Sequence, residues 1–180
     1  KFLIKRDDYT GTELSGNKIR KLDYILADVK KKKADYLFTC GGDQSNHARA
    51  TAIAAKQIGV KTKLFLWGSD KKYPDGNLFF DKLVRTEIKY LSKSEYENVD
   101  AIMLAESKRL QKKGKKVYVL PSGGSTPLGL WGYINFMDEL KQQEEFSKVK
   151  GVLSAYGSGG TTAGMLLGAA LLKSKMKIYA

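Results

Sequence analysis

The stretch YLFTCGGDQSNHARATAIAAKQI, residues 36–58, decides the fold. Its apolar start, residues 36–40, predicts a buried β-strand, and two glycines end it. The pattern from Ser45 to Ile58 predicts a helix, with Ser45 or Asn46 as its N-cap. A strand, a glycine-rich turn and a helix in this order are typical of one unit of a parallel sheet.

The same alternation continues along the 180-residue chain. Because strands that alternate with helices imply right-handed crossovers, we predict an α/β fold with largely parallel sheets. The polar, turn-rich residues 68–76 predict an exposed loop. Further strands are predicted at 62–67, 87–91, 117–120, 149–155 and 176–179, and helices at 77–84, 99–113, 127–143 and 161–173.

Glycine-rich segments at 41–46, 122–125 and 157–160 directly follow predicted strands. Ligands of parallel α/β sheets bind beyond the carboxyl ends of the strands, so these loops predict one site. Residues 157–164 precede a helix, where backbone N–H groups and hydroxyls bind a phosphate, although a plain strand-to-helix turn has the same pattern. Residues 122–127 form a second such loop, either a helix cap or a pocket rim.

Two lysines begin another amphipathic pattern, in the segment Ser15-Gly16-Asn17-Lys18 and its continuation to Lys21. A lysine held away from water loses its proton readily and attacks carbonyl carbon, whereas a solvated helix lysine is the simple alternative. Lys21 follows Lys18 by nearly one helical turn. Two ammonium groups this close indicate a nearby anion such as phosphate, unless both point to water.

The run Gln44-Ser45-Asn46-His47 places amide and hydroxyl groups at a helix start, a position suited to a substrate carboxylate. His47 is the only histidine. Its isolation excludes most histidine-based metal sites and a Ser-His-Asp triad within this chain, and no metal is predicted. His47 either stacks on a cofactor ring or is an ordinary first-turn histidine.

Composition narrows the function classes. The formal net charge is +13, but lysines 30–33 and 112–116 end predicted helices, where they complement the helix dipole. A nucleic-acid-binding module is therefore the third-ranked alternative and no nucleic-acid partner is predicted.

Cys40, the single cysteine, is expected to be a buried strand residue. With no leader and no apolar run of about 18 residues, we expect a cytoplasmic protein without a membrane partner. The ends at Lys1 and Ala180 suggest a chain trimmed at both ends.

Taken together, the motifs closely resemble the D-cysteine desulfhydrase and 1-aminocyclopropane-1-carboxylate (ACC) deaminase family, over nearly the whole chain. These are pyridoxal 5′-phosphate (PLP) enzymes of fold type II, with the tryptophan-synthase β-like fold. The motifs that carry the resemblance occur in the family's order: Lys5-Arg6-Asp7-Asp8, 16–22, 44–51, 121–125 and 159–164.

The resemblance implies a role for each candidate residue. Lys18 would form the Schiff base with PLP and act as acid and base at the substrate. Asn46 would bind the phenolic oxygen of PLP, Ser45 would lie near the substrate carboxylate and assist proton transfer, and Gln44 and His47 would complete that wall. The phosphate would be held by Lys21 and the loop Ser158, Gly159, Gly160, Thr161 and Thr162.

The resemblance also implies the activity and the organisation. The expected reaction is β-elimination from D-cysteine, with ACC deamination as the alternative and a truncated, non-catalytic lobe as a rival of another class. His47, where the deaminase branch has glutamine, favours the desulfhydrase. We expect a homodimer, with residues 23–131 forming a smaller lobe inserted in a larger cofactor-binding lobe made by residues 1–22 and 132–180.

Overall fold

The computed structural model describes residues 2–11, 16–143 and 148–180; Ser15 and the other remaining residues of the predicted larger lobe lie outside this part. The helices are α1 (Ile19–Lys31), α2 (Asn46–Gln57), α3 (Gly76–Leu83), α4 (Lys93–Tyr96), α5 (Val99–Gln111), α6 (Pro127–Gln142) and α7 (Gly160–Leu171). The strands are β1 (Tyr36–Gly42), β2 (Lys61–Trp67), β3 (Glu87–Leu91), β4 (Val117–Val119), β5 (Gly151–Leu153) and β6 (Lys177–Tyr179). Short 3₁₀ turns cover Asp7–Tyr9, Gly16–Lys18 and Ser122–Gly124.

Two parallel sheets organise the described chain. The first has four strands in the order β3-β2-β1-β4, with Tyr36 paired to Lys61 on one side and to Val117 on the other. The second pairs β5 with β6, Gly151 lying opposite Lys177. The predicted α/β fold with parallel sheets is thus confirmed, and the carboxyl ends of β1 and β4 meet at one edge.

The core lies on both faces of the four-stranded sheet because side chains of β1 alternate between them. Leu37 packs with Leu22 and Ile25 of α1, while Phe38 and Cys40 pack on the opposite face. Cys40 is only 1% exposed, as predicted for a buried strand residue. The sheet is therefore covered by helices on both sides, as parallel sheets require.

Helices α1, α6 and α7 pack at backbone contact and connect the two sheets. A Cβ at Gly132 of α6 would overlap the Arg20 carbonyl group of α1. A Cβ at Gly164 of α7 would lie 2.6 Å from Cβ of Tyr133. Helix α6 runs without interruption across the predicted lobe boundary at residues 131 and 132.

Several element bounds differ from the predictions. Strand β5 is limited to Gly151–Leu153, inside the predicted residues 149–155. Helix α4 was not predicted, although its start carries a capping box in which Ser92 and Glu95 satisfy each other's backbone N–H groups. None of the described helices is long and apolar enough to cross a membrane.

Candidate functional site

The glycine-rich loops surround one cleft beside the carboxyl ends of the strands, with a volume of about 2360 Å³. Most predicted site residues line it: Lys18, Lys21, Ser45, Asn46, His47, Ser158, Gly159, Thr161 and Thr162. Gly160 and Gln44 are not part of the lining, although Gly160 lies next to Lys21 Nζ.

Lys18 ends the 3₁₀ turn that leads into α1, and its side chain is half-buried. Its Nζ donates to Asn17 Oδ1 at 3.2 Å, and Asn17 Nδ2 donates to the Tyr133 hydroxyl at 3.3 Å. Burial lowers the pKa of the Lys18 amine. This raises the fraction of neutral amine, the form that attacks a carbonyl carbon.

Lys21 is buried, with 2% of its surface exposed. Its Nζ donates to the Gly123 carbonyl oxygen at 3.1 Å. Burial, with a smaller contribution from the charge of Lys18, lowers the pKa of Lys21 to about 8. In the described part of the chain no carboxylate forms an ion pair with Lys21, so an anion in the cleft would supply the missing countercharge.

The N-terminus of α7 faces the same region. Gly159, with φ of 78°, turns the chain into the helix, and no side chain among the described residues caps this end. The Ser125 and Ser158 hydroxyls are 2.8 Å apart beside it. A Cβ at Gly160 would lie 2.9 Å from Lys21 Nζ, so the helix start and the lysine are in direct contact.

A further group at this helix start lacks a partner. Thr162 Oγ1 is buried and has no hydrogen-bond partner within residues 2–11, 16–143 and 148–180. The first N–H groups of α7 also have no acceptor within the helix. Free donors next to a buried lysine fit a phosphate group.

Ser45 is the N-cap of α2, which resolves the two predicted alternatives in its favour. Its Oγ accepts from the Ala48 N–H at 3.1 Å. Since this bond uses the oxygen as acceptor, the hydroxyl hydrogen remains a donor for a ligand in the cleft. The arrangement suits a carboxylate placed at the start of α2.

His47 is buried at 3% exposure, and its Nε2 lies 2.8 Å from the Thr39 hydroxyl. Burial lowers the pKa of His47 to about 3, the charges of Lys18 and Lys21 add to this effect, and a hydrogen bond with the Pro121 backbone opposes it. The imidazole is consequently neutral at physiological pH. It contributes shape and a fixed dipole to the cleft wall.

Gln44 turns away from the cleft. Its Oε1 accepts from the Asn77 N–H at 2.9 Å, and its Nε2 donates to the Asp75 carbonyl oxygen at 3.3 Å. The structure therefore places Gln44 against the start of α3, beside the other predicted residues and outside their cleft. Asn77 in turn donates to Asn46 Oδ1 at 2.9 Å.

Sequence reasoning did not identify the roles of Asn17, Asn77, Ser125 and Tyr133. Ser125 lies in a loop that the glycine pattern marks as a rim of the pocket. Asn77 is 31 residues from Asn46, and no local pattern connects them. Tyr133 lies in the middle of α6, where the sequence pattern predicts only an aromatic residue of the core.

Comparisons with known proteins agree with this geometry. The family described as pyridoxal-phosphate dependent enzyme matches residues 1–180. A Thermotoga maritima protein with the provisional name 1-aminocyclopropane-1-carboxylate deaminase is 48% identical over 94% of this chain and 54% of its own. The Arabidopsis thaliana bifunctional D-cysteine desulfhydrase/1-aminocyclopropane-1-carboxylate deaminase, mitochondrial, is 42% identical over 98% of this chain and 47% of its own.

A solved structure described as an ACC deaminase homologue superimposes with a TM-score of 0.89 and 38% identity, covering 96% of this chain and 52% of its own. The chain belongs to the pyridoxal-phosphate dependent enzyme family, with the fold of its type II members. It spans about half the length of the curated relatives it matches.

The residues present fit PLP, the cofactor of this family. The unpartnered Thr162 hydroxyl and the buried Lys21 suit its phosphate, and the partly desolvated Lys18 amine suits its aldehyde. Ser45, Asn46 and His47 remain on the same cleft for the ring and a substrate.

Proposed function

We propose that the whole protein is a PLP-dependent lyase that converts D-cysteine and water to pyruvate, hydrogen sulfide and ammonia. The observation that carries this proposal is that one cleft brings together the partly buried amine of Lys18 and the N-termini of α7 and α2. The free donors at these two helix starts suit a phosphate and a carboxylate. These are the groups needed to hold PLP and an amino acid together.

In this proposal, bound PLP supplies an electron sink for the charge that develops at the substrate α-carbon. Lys18 Nζ holds the aldehyde group of PLP. Because burial lowers the pKa of this amine, Nζ accepts and returns a proton more readily than a solvated lysine when it is free. Asn17 Oδ1 accepts a hydrogen bond from Nζ and restrains its position.

Lys21, Ser158, Gly159, Gly160, Thr161 and Thr162 bind the phosphate. The pKa of Lys21 near 8 leaves its amine mostly protonated at neutral pH, and the phosphate charge favours that form. The N–H groups of α7 and the hydroxyls add hydrogen bonds. These groups would hold the phosphate of PLP in the same cleft as Lys18.

The α2 helix start binds the substrate side. The Ser45 hydroxyl donates to the substrate carboxylate and assists proton transfer, while Asn46 binds the phenolic oxygen of PLP. His47 packs neutral against the cofactor region because Thr39 fixes its ring. Gln44 contributes from outside the cleft by holding α3 against residues 44–46.

ACC deamination, in which ACC and water give 2-oxobutanoate and ammonia, is the second candidate. It is favoured by the names of the Thermotoga maritima relative and of the similar solved structure. The bifunctional plant relative carries both names. Both reactions need the same lysine and phosphate site, so they differ in how the cleft positions the proton transfers.

The test uses the full-length protein loaded with PLP. D-cysteine should release pyruvate and sulfide, and ACC should release 2-oxobutanoate if the second reaction is present. Lys18→Ala should abolish both products and the visible absorption of lysine-bound PLP. Lys32→Ala, at the exposed end of α1, is the matched lysine control and should retain them. Bound PLP with product from neither substrate would reject both reactions.

We also propose two lobes, with residues 23–131 around the four-stranded sheet and residues 1–22 and 132–180 around the second sheet. The separation of the two sheets supports this, and α6 would bridge the lobes. Both boundaries fall inside helices, α1 and α6, so native-state hydrogen exchange of the full-length protein is the test. The two sheets should open with different free energies if they belong to separate lobes, and with one common value if they do not.

A homodimer and a cytoplasmic location complete the proposal. The buried Cys40 without a disulfide agrees with a reducing compartment. Light scattering of the full-length protein tests the first expectation, and cell fractionation tests the second.

A further inference from the structure

Asn77, in the first turn of α3, contacts the site residue Asn46 from outside the cleft. Its Nδ2 donates to the Gln44 carbonyl oxygen at 2.7 Å and to Asn46 Oδ1 at 2.9 Å. Asn77 is half-buried beside this loop. It therefore uses both amide hydrogens on two neighbouring residues of the β1–α2 loop.

These contacts determine the orientation of both amides. The atom of Asn77 next to the Gln44 carbonyl must be a donor, because a backbone carbonyl only accepts. The same nitrogen faces Asn46, so the Asn46 atom opposite it must be the acceptor, Oδ1. A reversed Asn46 amide would bring two NH₂ groups together and lose the bond.

The consequence is that Asn46 keeps its donor group for the cleft. Asn46 lines the cleft, and its Nδ2 makes no hydrogen bond with any residue in the described ranges. The phenolic oxygen of PLP is an acceptor when ionised. An Asn46 side chain with Oδ1 already occupied offers it the complementary NH₂ group.

The helix that carries Asn77 is itself held in place. Gln44 Oε1 accepts the Asn77 N–H, so the backbone of the same residue is fixed to the loop. The next residue, Leu78, is fully buried against Ala48, Leu64 and Leu66. Asn77 is thus positioned by backbone, side chain and core packing together.

We propose that Asn77 is a positioning residue that fixes the Asn46 amide with its NH₂ group toward the phenolic oxygen of PLP. This inference rests on the proposed function. Asn77 acts through Asn46 and does not touch the cofactor. The geometry also explains why Gln44 faces α3, since its carbonyl and side chain both hold Asn77.

The experiment compares Asn77→Ala and Asn77→Asp in the full-length, PLP-loaded protein. A donor to the phenolic oxygen stabilises its ionised form, so loss of the fixed donor should raise the midpoint pH of the visible absorption change of lysine-bound PLP. We expect a rise of about one pH unit, since a charged hydrogen bond shifts a titration by that order. The dissociation constant for PLP should rise as well.

Asn98→Asp, an exposed position at the start of α5, is the matched control and should leave the midpoint unchanged. Asn46→Ala should raise the midpoint like Asn77→Ala. In the Asn46→Ala background, Asn77→Ala should add no further shift, because its effect passes through Asn46. Thermal melts establish that each variant is folded.

The outcomes separate this inference from the proposed function. A shift with Asn46→Ala but none with either Asn77 variant overturns the positioning role alone, as does an Asn77 shift that persists without Asn46. If Asn46→Ala leaves the midpoint unchanged, or PLP does not bind at Lys18, the assignment of the cofactor site fails. An unfolded Asn77→Asp leaves the decision to Asn77→Ala and the double variant.

Discussion

Lys21 Nζ donates to the carbonyl oxygen of Gly123 at 3.1 Å, and this bond joins α1 to the loop that follows β4. The same nitrogen borders the start of α7, where a Cβ on Gly160 would contact it. One buried lysine therefore connects three segments that are distant in sequence. Its charge has a carbonyl dipole as partner, which makes the site sensitive to anions and to pH.

The stability of the cofactor-free protein should depend on pH through Lys21. Its pKa is lowered from 10.5 to about 8 in the fold, so the unfolded chain binds the proton more tightly. Burying the protonated amine therefore lowers the free energy of unfolding. This loss is complete below pH 8 and disappears as the pH rises to 10.5. Between these limits, the free energy of unfolding of the wild type should rise by on the order of 3 kcal/mol relative to Lys21→Met.

Urea unfolding of both proteins across this range measures the difference, in which titrating groups that do not interact with Lys21 cancel. Inorganic phosphate should stabilise the wild type more than Lys21→Met below pH 8, because the anion favours the protonated lysine. A stability difference that is constant with pH would contradict the buried, anion-seeking lysine.

Gly160→Ala should weaken PLP binding. The added Cβ would lie 2.9 Å from Lys21 Nζ and would overlap the Ser125 hydroxyl, so the lysine and the serine must move away from the phosphate position. We expect the dissociation constant for PLP to rise about tenfold, or about 1.4 kcal/mol. Fluorescence titration with PLP provides the measurement.

Gly157→Ala is the control for this substitution. A Cβ at Gly157 has no neighbour within 4 Å among the residues that the structure describes, although the residue belongs to the same loop. Its PLP affinity should equal that of the wild type. Equal affinities for all three proteins would show that the start of α7 does not hold the phosphate.

His47 should remain neutral in the folded protein. Its pKa of about 3 lies below the ordinary 6.5, so its contribution to stability is lost as pH falls from 6.5 toward 3. Comparison of NMR spectra of the full-length protein and its His47→Gln variant identifies the His47 ring protons. Their shifts should show no imidazole titration between pH 5 and 7, below the range in which the neighbouring Lys21 loses its proton.

Lys18→Met tests whether the charge of Lys18 contributes to the lowered pKa of His47. Removing this neighbouring positive charge should raise the pKa of His47, while burial keeps it below 6.5. A titration midpoint near 6.5 in the wild type would mean that the ring is solvated and the Thr39 contact absent.

Local sequence patterns predicted most of the fold. The alternation of side chains on β1 and the capped start of α2 each depend on residues that are close together in the sequence. The positions of the strands and helices were therefore predicted to within a few residues. The short β5 is different. The apolar pattern of residues 149–155 exceeds the length over which β6 provides a partner, and the hydrogen-bonded strand is Gly151–Leu153.

The candidate site was predicted less completely, because chain adjacency does not determine side-chain direction. Gln44 precedes Ser45, yet its side chain turns to α3 and binds Asn77. The approach of Ser125 to Ser158 across 33 residues follows from the packing of α6 on α7, which no local motif encodes. The motifs thus identified the loops, and tertiary packing decided which side chains meet.

Substitutions of Ser45 should separate helix capping from substrate binding. Ser45→Ala removes the acceptor for the Ala48 N–H and should lower the free energy of unfolding by about 1 kcal/mol. Ser45→Asp keeps an acceptor at the N-cap, so its stability should stay within a few tenths of a kcal/mol of the wild type. Both lack the hydroxyl donor, and Asp adds a negative charge where the substrate carboxylate is to bind.

Urea unfolding and steady-state kinetics of the same two variants test this separation. The KM for D-cysteine should rise in both variants, and by the larger factor in Ser45→Asp, because like charges repel across the cleft. Ser45→Thr retains both the acceptor and the donor and should preserve stability and substrate affinity. If Ser45→Asp bound substrate as well as the wild type does, the carboxylate would have to lie elsewhere than at the start of α2.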